Sequence, residues 1–193
     1  MPKPVEVEIR VLLKNRRIVE DKLKQFGGKL VYHARLKDYW YCPIKVKNYR
    51  QAMVDKVGFA LRIRETHDSY SGKTSSSLDC KTFYEPGNHA LCHEHEIDLT
   101  DARQMRNILV DIGLKNFLFV DKQRTVYQYK SAKFCFDKIK GIGEGLEIEI
   151  MAKNNIKAAH GKILELAEQL GIKKSEILKY SLTYLAMQKL SRF

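Results

Sequence analysis

Long apolar runs are missing from this 193-residue chain: none approaches the roughly 20 residues that a helix needs to span a bilayer. The opening MPKPVEVEIR also lacks the apolar stretch and small-residue cleavage site of a secretory signal, so a soluble, cytoplasmic protein with no membrane partner is expected. Cysteine is scarce. Cys42, Cys80, Cys92 and Cys135 are widely spaced and form no CxxC pair, which disfavours a zinc knuckle and a disulfide framework and leaves reduced structural thiols. A P-loop is missing too, because Gly72-Lys73-Thr74 has no GxxxxGK frame before it and no helix after it. What the chain has in excess is positive charge. Its 35 Lys and Arg outnumber 23 Asp and Glu, a net charge of +12 that calls for an anionic partner or a solvated lysine-rich surface.

A hydrophobic content of 44% and a charged content of 30% argue against disorder, and the length suits one domain spanning residues 1–193. Period-two patterning predicts strands over 4–13, 30–42, 59–66, 77–84, 91–98, 116–130, 133–140 and 144–151. Helical spacing predicts a helix over 15–26 that stops at Gly27-Gly28, and a second from a Thr100 cap to about Ile112. A third is predicted over 155–170, with a further helical stretch after a Ser175 cap. Residues 43–57 give mixed signals and read as a loop or short helix. HDSYSGKTSSS reads as a mobile polar loop, and Glu85-Pro86-Gly87-Asn88 as a hairpin turn. The fold expected is α+β: a closed or nearly closed antiparallel β-barrel of about eight strands over 4–151, with helices packed outside and carboxy-terminal helices over 155–190. A weak internal echo links Glu6-Val7-Glu8-Ile9 to Glu94-His95-Glu96-Ile97, since each leads into a helix closed by glycine.

Charge falls on alternate residues of several of these strands. Glu6, Glu8 and Arg10 share one face of VEVEIRV, as do Arg62 and Arg64 in LRIRE, Glu94 and Glu96, Lys122 and Arg124, and Glu147 and Glu149 in LEIEIM. Lys81 is out of phase with Cys80 and Thr82. One such strand would be ordinary solvent-facing alternation. Several of them, some acidic and some basic, describe a charged interior, which is prohibitive in a closed barrel without counterions. A polyphosphate with divalent metal supplies both signs: arginine forks match phosphoryl oxygens, and hard Mg²⁺ or Mn²⁺ prefers carboxylate oxygen. His93 and His95 fall on the opposite face, and His33, His67 and His89 carry no assigned role. Tyr39-Trp40-Tyr41 reads as packed or edge-strand aromatics, with stacking on a substrate ring as the alternative.

At these residues the chain resembles the CYTH family, the triphosphate tunnel metalloenzymes named for class IV adenylyl cyclases and thiamine triphosphatases. Its opening ExExK stands here as Glu6-Val7-Glu8-Ile9-Arg10, with arginine in place of lysine. In order follow Leu61-Arg62-Ile63-Arg64, Asp79-Cys80-Lys81, Glu94-His95-Glu96, Lys122-Gln123-Arg124 with Tyr127, and Phe136-Asp137-Lys138 running to Leu146-Glu147-Ile148-Glu149-Ile150. The resemblance covers residues 5 to about 151; its carboxy-terminal Ser-Tyr helix is only loosely echoed at Tyr180-Ser181 or Thr183-Tyr184.

The resemblance implies that Glu6, Glu8, Glu147 and Glu149 hold Mg²⁺ or Mn²⁺, with Glu94 and Glu96 as further tunnel acids. Arg62, Arg64, Lys81, Lys122 and Arg124 would grip a triphosphate such as ATP, tripolyphosphate or thiamine triphosphate. Catalytic roles fall to Arg10 and to Asp137, the latter near the metals or orienting a base; a permanently charged Arg10 suits phosphate contact better than base chemistry. The activity implied is adenylyl cyclase-like, converting ATP to cyclic AMP and pyrophosphate, with a triphosphatase as the alternative. A non-catalytic polyanion- or RNA-binding barrel is a third reading, disfavoured because clustered glutamates repel a nucleic-acid backbone. A homodimer is left open.

Overall fold

The computed structural model describes residues 4–48, 60–85 and 88–192. The chain forms β1 (Val5–Leu12), α1 (Arg16–Gln25), β2 (Lys29–Pro43), β3 (Ala60–Asp68), β4 (Thr74–Phe83), β5 (Leu91–Asp98), α2 (Ala102–Asp111), β6 (Leu114–Tyr129), β7 (Ala132–Ile139), β8 (Gly143–Ala152), α3 (Ile156–Gln169), a 3-10 turn (Lys174–Glu176) and α4 (Leu182–Leu190). The eight strands close into a barrel in the order β1-β5-β4-β3-β2-β6-β7-β8, antiparallel throughout. Exchanging β1–β4 with β5–β8 reproduces this order, and β1 pairs with β5 as β2 pairs with β6. The short echo between the first acidic strand and the fifth therefore has a topological counterpart, in which, among the described residues, each half runs strand, helix, then three strands.

The barrel is apolar outside and ionic inside. On β1, Val5, Val7, Ile9 and Val11 point outward and are buried against Leu23 of α1 and Ile163, Leu166 and Leu170 of α3. Each such side chain removed from water contributes about 1.5–3 kcal/mol. A second apolar cluster joins Trp40, Leu118, Val120 and Ile139 to Leu182, Ala186 and Met187 of α4, and a third seats Leu109 of α2 against Tyr41 and Ile63. The helices are thus lids for strand faces, and the other face of every strand is left for the lumen.

Local details depart from the sequence expectations in three places. The polar 67–77 stretch is a tight hairpin rather than a loose loop: His67 pairs with Thr74, and the Asp68 carboxylate accepts the Tyr70 and Ser71 amides at 2.9 and 2.6 Å. Its serines lengthen the ladder because main-chain pairing asks nothing of the side chain. The second helix is capped by Asp101, not Thr100; Asp101 is extended and accepts the Gln104 amide at 2.9 Å. Ser175 lies inside the 3-10 turn, which ends where Ile177 goes extended and bridges to Val11; the last helix starts at Ser181, whose hydroxyl accepts the Tyr184 amide at 3.1 Å. At the predicted 85–88 turn, the Asn88 amide donates to the Glu85 carbonyl at 3.0 Å, while Pro86-Gly87 lie outside the described residues. So do residues 49–57 of the ambiguous stretch and Phe59 at the expected start of the third strand.

Candidate active site

The lumen encloses a cavity of about 470 Å³. Strand alternation brings to its wall Glu6 and Glu8 from β1, Arg62 and Arg64 from β3, Lys81 from β4 and Glu94 and Glu96 from β5. Lys122 and Arg124 from β6 and Glu147 and Glu149 from β8 complete the set. These are all of the predicted phosphate-gripping, metal-holding and further acidic tunnel residues. Arg10 and Asp137, expected to be catalytic, are not among the cavity's lining side chains. Arg10 is almost fully buried, donating to the Glu8 carboxylate and to the His89 carbonyl at 2.6 Å. Burial disfavours its charge, yet the Glu8 and Glu147 carboxylates outweigh this and hold the guanidinium above its usual range. Arg10 therefore stays a cation that fixes Glu8.

Asp137 does for the bases what Arg10 does for Glu8. Entirely buried at 0% exposure, it accepts from Lys122 at 2.7 Å and from Arg124 at 2.7 and 2.6 Å, while Arg124 also reaches Glu147 at 2.5 Å. Two more acids play the same part, and neither was singled out from the sequence as a site residue. Asp38, 1% exposed, takes both arms of Arg64 at 2.6 and 2.8 Å and lies 3.8 Å from Arg62; Asp79, 2% exposed, takes Arg62 at 2.7 Å and the Ser77 hydroxyl at 2.6 Å. Asp79 was within reach of sequence reasoning, since it shares the parity of Lys81. Asp38 gives less signal, because its in-phase neighbours Leu36 and Trp40 are apolar. Burial opposes the charge on Asp38 and Asp137, but the facing guanidinium and ammonium groups prevail and hold both carboxyls below their usual range. The guanidinium and ammonium groups on the cavity wall are thus oriented by carboxylates set behind them, and charge-assisted bonds of this kind hold a donor in a fixed direction.

Glu8, Glu147 and Glu149 form the metal candidate, each offering a carboxylate oxygen within 4.8 Å of the others. Burial, with the neighbouring Glu6, Glu8 and Glu147 carboxylates, pushes Glu149 up to about 8, and among the described residues no side chain donates to it. Burial also raises Glu8 against the opposing pull of Arg10. Three crowded hard oxygen donors, one without a cation of its own, suit Mg²⁺ or Mn²⁺ better than a softer ion. Glu6, the fourth expected ligand, accepts instead from Lys81 at 2.8 Å and stands outside this triad.

The two ends of the lumen differ. The β2 end that opens at Val31, Tyr32 and Val126 is flanked by exposed Lys133. The other end meets α4, whose Ser181 cap, Thr183 and Met187 line the cavity beside Trp40, Phe83 and His89. His89 sits edge-on to Phe83 at 4.6 Å and to Tyr180 at 5.4 Å, and Tyr180 stacks on Tyr184 at 4.5 Å. This aromatic group ties the β4–β5 turn to the carboxy-terminal helix. Sequence reasoning gave His89 no role, because its place depends on a contact between segments some ninety positions apart. His93 and His95 stay off the cavity wall, in keeping with their parity. Trp40 is 3% exposed, and among the described residues its indole nitrogen has no acceptor. A buried donor left unmade costs about 1–3 kcal/mol.

Known proteins share this architecture. A solved Pyrococcus horikoshii protein superposes with a TM-score of 0.80 at 21% identity, over 95% of this chain and 98% of that one. A proposed adenylyl cyclase from Hippeastrum, described as having a dominant triphosphatase activity, superposes with a TM-score of 0.58 at 15% identity, over 93% and 91%. In sequence, a proposed adenylate cyclase of Methanocaldococcus jannaschii is 27% identical over 183 residues, 92% of this chain and 95% of that protein. The CYTH domain model matches residues 5–181, nearly the whole length over which the alternating charges, the barrel and its closing helix are laid out. The chain belongs to the CYTH domain family.

Proposed function

We propose that the protein is a divalent-metal-dependent enzyme acting on a triphosphate in the lumen, and that its reaction is adenylyl cyclase-like. The observation that carries this reading is the meeting of five cationic side chains with the Glu8, Glu147 and Glu149 triad in one cavity. A divalent ion bound by that triad would supply Lewis-acid polarisation and a more acidic attacking hydroxyl. The chain's own residues do the rest. Arg62, Arg64, Lys122 and Arg124, steadied from behind by Asp38, Asp79 and Asp137, take the phosphoryl oxygens and match the charge that grows on the departing pyrophosphate. In the cyclase reaction the ribose 3′ oxygen bonds to the α-phosphorus, the bond from that phosphorus to the β-bridging oxygen breaks, and the hydroxyl proton leaves. Arg10, held above its usual range, keeps its charge and positions Glu8 rather than accepting that proton.

The M. jannaschii relative supports the cyclase reading. A second reading, hydrolysis of the terminal phosphate by water, is favoured by the dominant triphosphatase activity described for the Hippeastrum protein of the same fold. Incubation with ATP, tripolyphosphate and thiamine triphosphate in Mg²⁺ or Mn²⁺ separates them: cyclic AMP with pyrophosphate selects the cyclase, orthophosphate the hydrolase. Turnover that persists undiminished in a chelator, or no product from any of the three, would remove the metalloenzyme reading altogether.

A further inference from the structure

The outward face of β6 is covered by helices at two places and open between them. Tyr127 is tied to α1 by the bond from its hydroxyl to Glu20 at 2.6 Å, and Phe119 packs on Tyr39, over which Arg106 of α2 lies at 4.1 Å. Between these covers the strand register sets six polar side chains in two rows. Arg35 of β2 stands opposite Gln123 of β6, which stands opposite Lys138 of β7; in the next row Lys37 stands opposite Asp121, whose carbonyl accepts the Lys140 amide at 3.0 Å. Arg35, Gln123, Lys138 and Lys140 are exposed, and with Asp121 and Glu144 they wall an outer groove of about 560 Å³. Four cations thus share two carboxylates, Asp121 and Glu144, which leaves a local excess of two positive charges. Cations elsewhere on the exterior are matched more closely: Arg16 pairs with Glu20 and Arg17 with Asp21 along α1, and Arg106 of α2 with Glu65 of β3.

One of the four cations is already positioned. The Arg35 guanidinium donates to both Asp121 oxygens at 2.9 and 2.7 Å, which fixes its plane while its side chain stays 53% exposed. A fork held in this way spends two of its five N–H bonds and keeps the others for an anion. Along each strand the cations fall on alternate residues, about 6.6 Å apart, and β2 and β7 stand about 9.6 Å apart with β6 between them. That spread is too broad for one small anion. It suits a polymer whose phosphates recur at each step, as those of an extended nucleic-acid strand do. The glutamates that would repel such a strand line the lumen, on the inner side of the barrel wall.

We propose that the outer face of β2, β6 and β7, centred on Arg35, Lys37, Lys138 and Lys140, docks the phosphate backbone of a nucleic-acid strand outside the lumen. None of the six side chains is aromatic, so bases are not stacked there and sequence is not read. This surface goes beyond the triphosphate reading and does not depend on it. The test is fluorescence anisotropy of the full chain with a labelled RNA strand that ends in a 5′ hydroxyl, measured across salt. Four phosphate contacts on a single strand give log K a slope of about −3 against log salt, so affinity should fall about fiftyfold between about 50 and 200 mM. K138Q/K140Q, which keeps the pair between Arg35 and Asp121, should weaken binding at least about fivefold at the lower salt and bring the slope to about −1.5; adding R35Q should bring it to about −0.7. K153Q/K157Q/K162Q removes the same three charges from exposed lysines on and beside α3 and should leave the slope as it was. R124A, changed inside the lumen, should bind the strand as the parent does. Equal losses from the α3-side and sheet-face triple variants would reduce the binding to net charge, and loss in R124A would move it into the lumen. Poly-glutamate bound as tightly as RNA would make the face a site for acidic polypeptide. Any of these results, or no binding at the lower salt, overturns the proposal and leaves the triphosphate reading standing.

Discussion

Removing the carboxylate of Asp38 would strand two guanidinium groups, Arg64 at 2.6 and 2.8 Å and Arg62 at 3.8 Å, in a wall that water barely reaches. Breaking a buried pair from one side costs about 3–5 kcal/mol, so D38N should lower unfolding free energy by that order in a denaturant titration. A loss under about 0.5 kcal/mol would show that the arginines find other partners. The same residue sets an acid limit. Its folded-state pKa is depressed, so its contribution is complete above the unfolded carboxylate value of about 3.9 and is lost as pH falls below that value. D38N should therefore flatten the acid side of the stability profile. Glu149 has the opposite sign: held up to about 8, it keeps its proton at neutrality and must release it when a cation arrives. Calorimetry in buffers of different ionisation heat should find about one proton released per Mg²⁺ or Mn²⁺ at pH 7, fading above pH 9, with affinity rising between. Heats independent of buffer would detach Glu149 from the metal. For Arg124, which spans Asp137 and Glu147, alanine should cut turnover at least about tenfold while the circular dichroism spectrum persists; near-normal turnover would remove it from the phosphate grip.

At the scale of elements, α4 is the piece whose placement is most exposed to test. Gly145 on β8 faces it so closely that an added Cβ would fall 2.6 Å from a Leu182 methyl carbon, and Leu182 is buried with little room to turn. G145A should cost about 1–3 kcal/mol in thermal or chemical unfolding and reduce turnover with it, since Ser181 and Thr183 line the lumen next door. An alanine that leaves both unaltered would mean that the helix sits more loosely than its packing implies. Much of the barrel was readable beforehand because several strands carry apolar and ionic residues in alternation, and VEVEIRV or LEIEIM can bury only one face at a time. The helices α1 and α3 were readable for the same reason at period 3.6. What escaped depends on partners that no local pattern contains: the hairpin that recruits Thr74 to Ser76 into a ladder, the Ser181 start of α4, and Asp38 set behind Arg64. The lining residues of the site were legible from parity, whereas their division into ligand-facing groups and buried holders was not.

For the whole molecule, the excess positive charge belongs to residues other than those of the lumen. Arg10, Arg62, Arg64, Lys81, Lys122 and Arg124 belong to the barrel interior, as do Glu6, Glu8, Asp38, Asp79, Glu94, Glu96, Asp137, Glu147 and Glu149. With every group ionised these fifteen side chains are net −3, and against the chain's formal total of +12 the rest of the sequence carries +15. The glutamates counted against a nucleic-acid partner therefore line the lumen, and the rest of the charge is suited to a polyanion. For a small triphosphate this field steers encounter. Raising the salt from about 20 to 500 mM should lower kcat/KM severalfold and leave kcat much less affected, a split that steady-state kinetics resolves. A salt-independent kcat/KM would mean that approach is not electrostatically guided.

One wall of the lumen comes later in the chain than all eight strands. The final strand ends at Ala152 and the helix that meets the lumen begins at Leu182, so on a ribosome the barrel can close while its stopper is still being synthesised. The lumen is then a cup before it is a vessel, and any chemistry that needs both ends waits for this helix to emerge. A fusion or affinity tag joined directly after Leu190 is attached to a wall of the lumen, and its effect on turnover belongs in any comparison of preparations.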